Sequence, residues 1–350
     1  MQKICIFDCM RWMYLLSVFL MVAPYATSQQ GNYKYNNYGN RSILLTGNVT
    51  GSVSDIGLTY YNPSKLTEIE INGFAFNARA YQLNSLKVDP LITDGSPLSN
   101  TTFTGVPSIV GGTFSLWDER FAYVYLSKYR INNDISTRYE ELNESILNDF
   151  PQAEALSLSA SIDNDIREDW YGLSWATEIN EDISLGISLF GVYYKYKGRR
   201  STDETFQYEP NKVSTDLIEY SFDQKSYGVN LKIGGSYTID NVELGLNLTL
   251  PYVEVFGTGK YKVKIISSGT VNDSDRFYDY NFDDLDSNRK LPLGISAGAG
   301  ITLKKSRIHF NVDYMSGLNE YSRLDIPEVD LGEELPSEII FNEQRRSVFN

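Results

Sequence analysis

The run Tyr227-Gly-Val-Asn-Leu-Lys-Ile-Gly-Gly-Ser-Tyr237 leads into Asp240-Asn241 and then Val242-Glu-Leu-Gly-Leu-Asn-Leu-Thr-Leu250. Apolar side chains take every second position on both sides of a tight turn, the two-residue period of strands with one apolar face. The alternate face carries Gly228, Asn230, Lys232, Gly234 and Ser236, then Glu243, Gly245, Asn247 and Thr249. Asp-Asn suits a hairpin turn, although less well than Asn-Gly. Each arm runs about ten residues, long for a soluble strand and right for a tilted strand crossing a bilayer. Repetition of this unit makes an all-β, up-and-down antiparallel barrel of the outer-membrane kind.

The N-terminus reads as a secretory signal. Lys3 and Arg11 supply the charge, the stretch from Trp12 to Val22 is apolar, and Ala26-Thr27-Ser28 fits the small-residue cleavage rule, so the cut is expected after Ser28. A transmembrane anchor is the alternative, but the apolar core is too short for one. Cys5 and Cys9 both lie in this leader, so the mature chain has no disulfide, thiolate metal site or cysteine nucleophile. No later apolar run is long enough for a spanning helix, so an integral mature protein has to close its backbone as a barrel. Many of the 26 tyrosines flank the strands, as aromatic girdles would. A net charge of −14 argues against a nucleic-acid partner.

Strands are predicted at 68–81, 106–116, 120–130, 167–179, 183–197, 227–237, 242–250, 291–303 and 307–321. The links alternate between short turns, at 117–119, 180–182, 240–241 and 304–306, and long loops. The long loops cover Asp94-Gly95-Ser96-Pro97, 131–166 with a helix over 139–150, 198–224, and an acidic stretch over 257–290. Short turns on one side and long loops on the other are the construction of outer-membrane barrels. The ending Arg346-Ser-Val-Phe-Asn350 reads as a strand just beginning. Nine strands and a stub leave an open edge, which lipid does not tolerate. The chain is therefore expected to be C-terminally incomplete, with a ten-stranded barrel as the rival.

Before the first strand, residues 29–38 form a polar leader. Tyr38-Gly-Asn-Arg41, a glycine-spaced stretch, Asp55-Ile-Gly57 and Tyr61-Asn62-Pro63-Ser64-Lys65-Leu66 follow. This resembles the N-terminal hatch of the FadL/TodX family, outer-membrane transporters of long-chain fatty acids and other hydrophobic compounds. Asn62, Pro63 and Leu66 match the family's Asn-Pro-Ala-Gly-Leu; Ser64 and Lys65 depart from it. The stretches 234–251 and 291–314 also resemble strand pairs of that family. The resemblance implies a fourteen-stranded barrel plugged by its N-terminus. It divides the chain into a signal peptide (1–28), leader and hatch (29–66) and barrel (67–350).

Ser184, Gly186 and Ser188, and Gly294, Ser296, Gly298, Gly300 and Thr302, make small inner faces that leave room for a plug, or merely relieve curvature. Gly111-Gly112 suggests a bulge. In the resembled family an early strand is kinked into a lateral exit, so this pair marks either that opening, a plain bend or a close contact with the plug. His309, the only histidine, falls on the lumenal parity of its strand as a hydrogen-bonded wall residue. No serine is placed to act with it, so no enzyme is expected. Asp273, Asp275, Asp279, Asp283, Asp284 and Asp286 do not follow EF-hand spacing. They read as a solvated loop, or as a divalent-ion bridge to lipopolysaccharide phosphate. Phe277, Tyr278, Tyr280 and Phe282, with Leu147 and Phe150, form either an outer ligand groove or packing of the loops on the rim.

The implied function is passive uptake of a hydrophobic small molecule by an outer-membrane monomer that contacts lipid and lipopolysaccharide, with no cofactor. The alternative is a barrel that shuttles or anchors secreted proteins.

Overall fold

The computed structural model of the chain describes residues 37–52, 55–69, 72–88, 98–141, 154–209, 212–269, 275–327 and 342–350. The signal peptide, most of the leader, Asp273, Leu147 and Phe150 lie outside the described residues. The chain runs through a short helix α1 (Leu58–Tyr61), a 3₁₀ turn (Pro63–Glu68) and then strands. These are β1 (Gly73–Val88), β2 (Leu98–Leu116), β3 (Glu119–Glu141), β4 (Ala155–Glu178), β5 (Ile183–Glu209), β6 (Lys212–Ile239) and β7 (Val242–Thr249). They continue with β8 (Val253–Ser268), β9 (Arg276–Asp286), β10 (Gly294–Leu303), β11 (Ser306–Met315), β12 (Leu318–Ser322), β13 (Asn342–Arg345) and β14 (Val348–Phe349).

The fold is a large up-and-down antiparallel sheet consistent with a β-barrel. Its path follows β1-β2-β3-β4-β5-β6-β7-β10-β11-β14 and does not close among the described residues. β6 serves two partners: Lys232–Ile239 pairs with β7, and Thr215–Val229 with β8, which in turn carries β9. The sheet hairpins at Trp117-Asp118, Asp240-Asn241 and Lys304-Lys305 are tight, as predicted. Trp117 (φ 55) and Asp118 (φ 61) both take the left-handed conformation that matches the twist of the flanking strands.

Several expectations are corrected. Residues 139–141 continue β3 as strand, not as the start of a helix. The loops expected over 131–166, 198–224 and 257–290 are largely strand, extending β3 to β6 and forming β8 and β9. The predicted strand over 307–321 breaks at Ser316-Gly317 into β11 and β12. Gly111 and Gly112 sit in regular register against Ala75 and Phe74 on one side and Val124 and Tyr123 on the other. The β1–β2 register shifts lie at Asn77/Ala78 and between Arg79 and Gln82 instead. Pro107, opposite Ala78, has no N–H for the ladder and accounts for the irregularity there.

The outer face is banded. Starting from the tight-turn end, β5 exposes Leu185, Ile187 and Leu189, and neighbouring strands expose Leu173, Val229, Ile233, Leu244, Leu246, Ile295 and Val312. At one border Phe114 stacks on Phe121. At the other, Tyr193 meets Tyr227, Tyr227 stacks on Phe256, and Tyr125 meets Tyr171. From Ile183 to Tyr193 the rise is about 33 Å along the strand, or about 25 Å after a tilt near 40°. Beyond Tyr193 the outer face turns charged, with an acid-base-acid-base row: Asp165 opposes Lys197, Lys197 opposes Asp223, and Asp223 opposes Lys260.

The inner face wraps residues 37–52 and 55–69. This short segment touches Ser108 on β2, Ser188 on β5 and His309 on β11, contacts possible together only if the sheet curls around it. Its Tyr38, Val49, Ile56, Leu58, Tyr60, Tyr61 and Leu66 share one apolar core with Ile109, Val124, Leu126, Trp170 and Phe190 of the wall. A second cluster, above the aromatic border, joins Tyr261, Val263 and Ile265 to Leu285 and Leu324.

Candidate functional site

The hatch is shaped by one carboxylate. Asp55 accepts from the backbone N–H groups of Arg41 (2.7 Å), Ser42 (2.9 Å) and Gly57 (2.9 Å), and from the Ser42 hydroxyl (2.9 Å). Asn62 then fixes the second half. Its Oδ1 accepts from the Ser64 N–H (3.3 Å) and hydroxyl (2.7 Å), capping the 3₁₀ turn, with Pro63 pre-set at the first position. Its Nδ2 donates to Thr50 O (2.8 Å) and to Gly235 O (3.2 Å) of the wall. Asn62 is fully buried, so this amide both builds the hatch and ties it to β6. Pro63 and Leu66 are buried beside it.

Glycines of the wall give the hatch its seat. A Cβ on Gly186 would lie 2.5 Å from Ser64 N, one on Gly234 2.1 Å from Asn62 Oδ1, and one on Gly245 1.8 Å from Thr50 O. One on Gly298 would lie 2.6 Å from Gly51 N, and one on Gly300 2.0 Å from Ser52 Oγ. These five inner glycines are therefore occupied by the hatch, as plug accommodation requires, whereas Gly294 faces Thr249 of β7 instead. Gly111 and Gly112 are close-packed too, but against Tyr123 and Val124 of the neighbouring strand. His309 is a wall residue bonded to the plug, as expected, but its Nδ1 partner at 2.8 Å is the Ser52 hydroxyl, so a serine does stand beside it, contrary to expectation. Lys65 is buried with its ammonium donating to Glu68 and, at 2.9 Å, to Glu243. Burial lowers its pKa, and the Glu68 carboxylate opposes that shift.

Aromatic rings continue upward from the hatch: Tyr38 on Tyr60 (4.9 Å), Tyr60 on Trp170 (5.8 Å) and Trp170 on Phe190 (5.1 Å). Lys232 lies over Tyr60 and Lys128 over Trp170. A cavity of about 50 Å³ separates the hatch from a second closure. Its lining includes Tyr60, Trp170, Lys128, Lys232, Asp313 and Arg345.

The second closure is ionic. Glu168, on the inner face of β4, accepts from Arg289 Nη2 (2.7 Å) and Trp170 Nε1 (2.6 Å), with Lys128 at 3.5 Å. The Arg289 guanidinium carbon lies over the Tyr194 ring, 3.9 Å from its centroid. Arg323, next to β12, donates to Tyr194 (2.8 Å) and Gln224 (2.5 Å), and Tyr321 donates to Glu343 on β13 (2.8 Å). The antiparallel pair β12–β13 is thus tied through Arg323 to β5 and β6. Sequence reasoning missed Glu168, Arg289 and Arg323. Glu168 was findable by parity, since it shares the inward face of β4 with Trp170, Gly172 and Ser174. Arg289 and Arg323 come from irregular segments with no period to read.

The aromatic residues proposed for a loop groove divide between two faces. Tyr278, Tyr280 and Phe282 stack along one face of β9 toward the second apolar cluster, whereas Phe277 is 69% exposed on the other. Of the acidic residues, Asp283 accepts from Lys260 (2.6 Å), Asp279 lies 3.9 Å from Lys262, and Asp275 accepts from Gly269 N (2.9 Å). Among the described residues no three acidic, histidine or cysteine side chains gather as a metal site. No protein-family model and no curated protein matches the chain.

Proposed function

We propose that this protein is an outer-membrane channel for passive uptake of hydrophobic small molecules such as long-chain fatty acids, gated by its N-terminal hatch. The observation that carries the reading is the glycine seat: five inner-face glycines on four adjacent strands accept backbone or short side chains of one plug. The banded outer face supports a bilayer location, because an apolar belt about 25 Å tall between aromatic borders matches a hydrocarbon slab. Lysines beside aromatic rings above the hatch suit an amphiphile with an anionic head and an apolar body. A shuttle or anchor for secreted proteins is the second reading, favoured by the broad charged sheet that β3 to β6, β8 and β9 raise beyond the aromatic border.

A crosslink tests the gate. The Thr67 and Ser184 hydroxyl oxygens are 3.2 Å apart, one on the hatch and one on β5. Thr67→Cys with Ser184→Cys, oxidised, should stop uptake of labelled long-chain fatty acid, and reduction should restore it. Equal uptake in both states would refute hatch gating.

A further inference from the structure

We propose a binding site for a lipid with two headgroup phosphates on the outer face of β3 to β6, at the upper aromatic border. It rests on the outer-membrane reading above and adds a specific partner to it.

The first observation is a row of four cations. Arg130 stands opposite Arg167, Arg167 opposite Lys195, and Lys195 opposite Lys225, on four adjacent strands. Like charges directly across a ladder repel. The next row outward alternates sign from β4 to β8, so the sheet has the means to avoid such a row and does not use it here. Three strand spacings make the row about 14 Å long.

Carboxylates meet three of the four cations. Asp169 serves both Arg167 and Arg130, the latter at 3.7 Å, and Asp165 lies 3.0 Å from Lys195. Lys225 has no ion pair among the described residues. Asp169 lies on the same face of β4 as Arg167 and is fully buried. Positive charge is therefore concentrated along this row, at the height where an outer leaflet carries its phosphates.

The second observation is a notch directly below the row. Gly191 leaves a gap between Tyr171 and Tyr193, opening a concavity of about 610 Å³ walled by Tyr171, Tyr193, Tyr227 and Phe256, with Arg167 at its upper lip. That volume lies in the range of small-molecule sites. Tyr171 and Phe256 are more than half exposed. An acyl chain lies in the notch, and the phosphates bridge neighbouring cations above it. Phosphate geometry suits guanidinium, and each lysine near the surface adds further attraction.

Lipid binding to the detergent-purified protein tests the site, with bis-phosphorylated lipid A, the same lipid stripped of its phosphates, and inorganic phosphate as probes. Lys195→Gln with Lys225→Gln should weaken lipid A binding about thirtyfold. Gly191→Leu should weaken it about tenfold by filling the notch; a Cβ there meets nothing closer than Tyr171 O at 3.8 Å, so the fold tolerates it. Fatty-acid uptake should be unchanged in both. Unchanged lipid A affinity, equal binding of the dephosphorylated lipid, or full competition by inorganic phosphate would each overturn the site and leave the channel reading standing. A mature protein soluble without detergent would instead remove the membrane reading itself.

Discussion

Gly234 and Gly235 are neighbours on β6, and the same substitution at each should have opposite effects. At Gly234 an added Cβ would lie 2.1 Å from Asn62 Oδ1 and 2.8 Å from Pro63 Cδ. Ordinary contact begins near 3.4 Å, so Asn62 has to retreat by about 1.3 Å. That retreat breaks its bonds to Ser64 and Thr50. Loss of the cap costs about 0.5–2 kcal/mol, and overpacking adds about 1–3 kcal/mol. Gly234→Ala should therefore destabilise the docked hatch by about 1.5–5 kcal/mol. At Gly235 the Cβ points outward and meets only Leu185 Cδ2 at 3.7 Å. There the change removes backbone freedom from the unfolded chain and should stabilise by about 0.5–1 kcal/mol. Limited proteolysis of the hatch in detergent micelles, calibrated by denaturant melts, reads both. Equal protease sensitivity of the two variants would refute the seat, because it would mean that the hatch does not rest on the inner face of β6.

Glu168→Ala should cost about 3–5 kcal/mol, because it strips a buried carboxylate from Arg289 and Lys128; urea unfolding showing a loss under about 1 kcal/mol would contradict the ionic closure. Burial between hatch and wall, with Tyr61 adding to it, holds the Tyr60 phenol well above its ordinary range. The docked state thus keeps a proton that the unfolded chain loses, so stability is full below about pH 10 and falls above it by up to about 1.4 kcal/mol per unit. Melting curves should show that extra alkaline loss in wild type and not in Tyr60→Phe; parallel curves would disprove it.

The part of the fold legible in the sequence is the part inside the apolar belt. There Val229, Leu231 and Ile233 alternate with Asn230 and Lys232 because hydrocarbon and plug impose opposite demands on the two faces. Above the border that contrast ends. In Ser161-Ile-Asp-Asn-Asp-Ile166 both faces are polar or mixed, so a period of two is hidden and continuous strand reads as loop. The seat was legible as small residues at Gly186 and Gly298, since volume is a local property. The upper closure was not, since Glu168, Arg289 and Arg323 meet only through the fold, and each by itself looks like an ordinary surface charge. Gly111-Gly112 misled for a related reason: glycine marks a close neighbour as readily as a bulge, and here the neighbour is Tyr123.

The alternation of sign along the row from Asp165 to Lys260 bears on assembly. A newly arriving hairpin that skipped one partner would lay acid on acid or lysine on lysine. Each such mispairing forfeits an opposite-charge pair and puts repulsion in its place. The alternating row therefore disfavours out-of-order pairing of β4, β5, β6 and β8 while the growing sheet is still open.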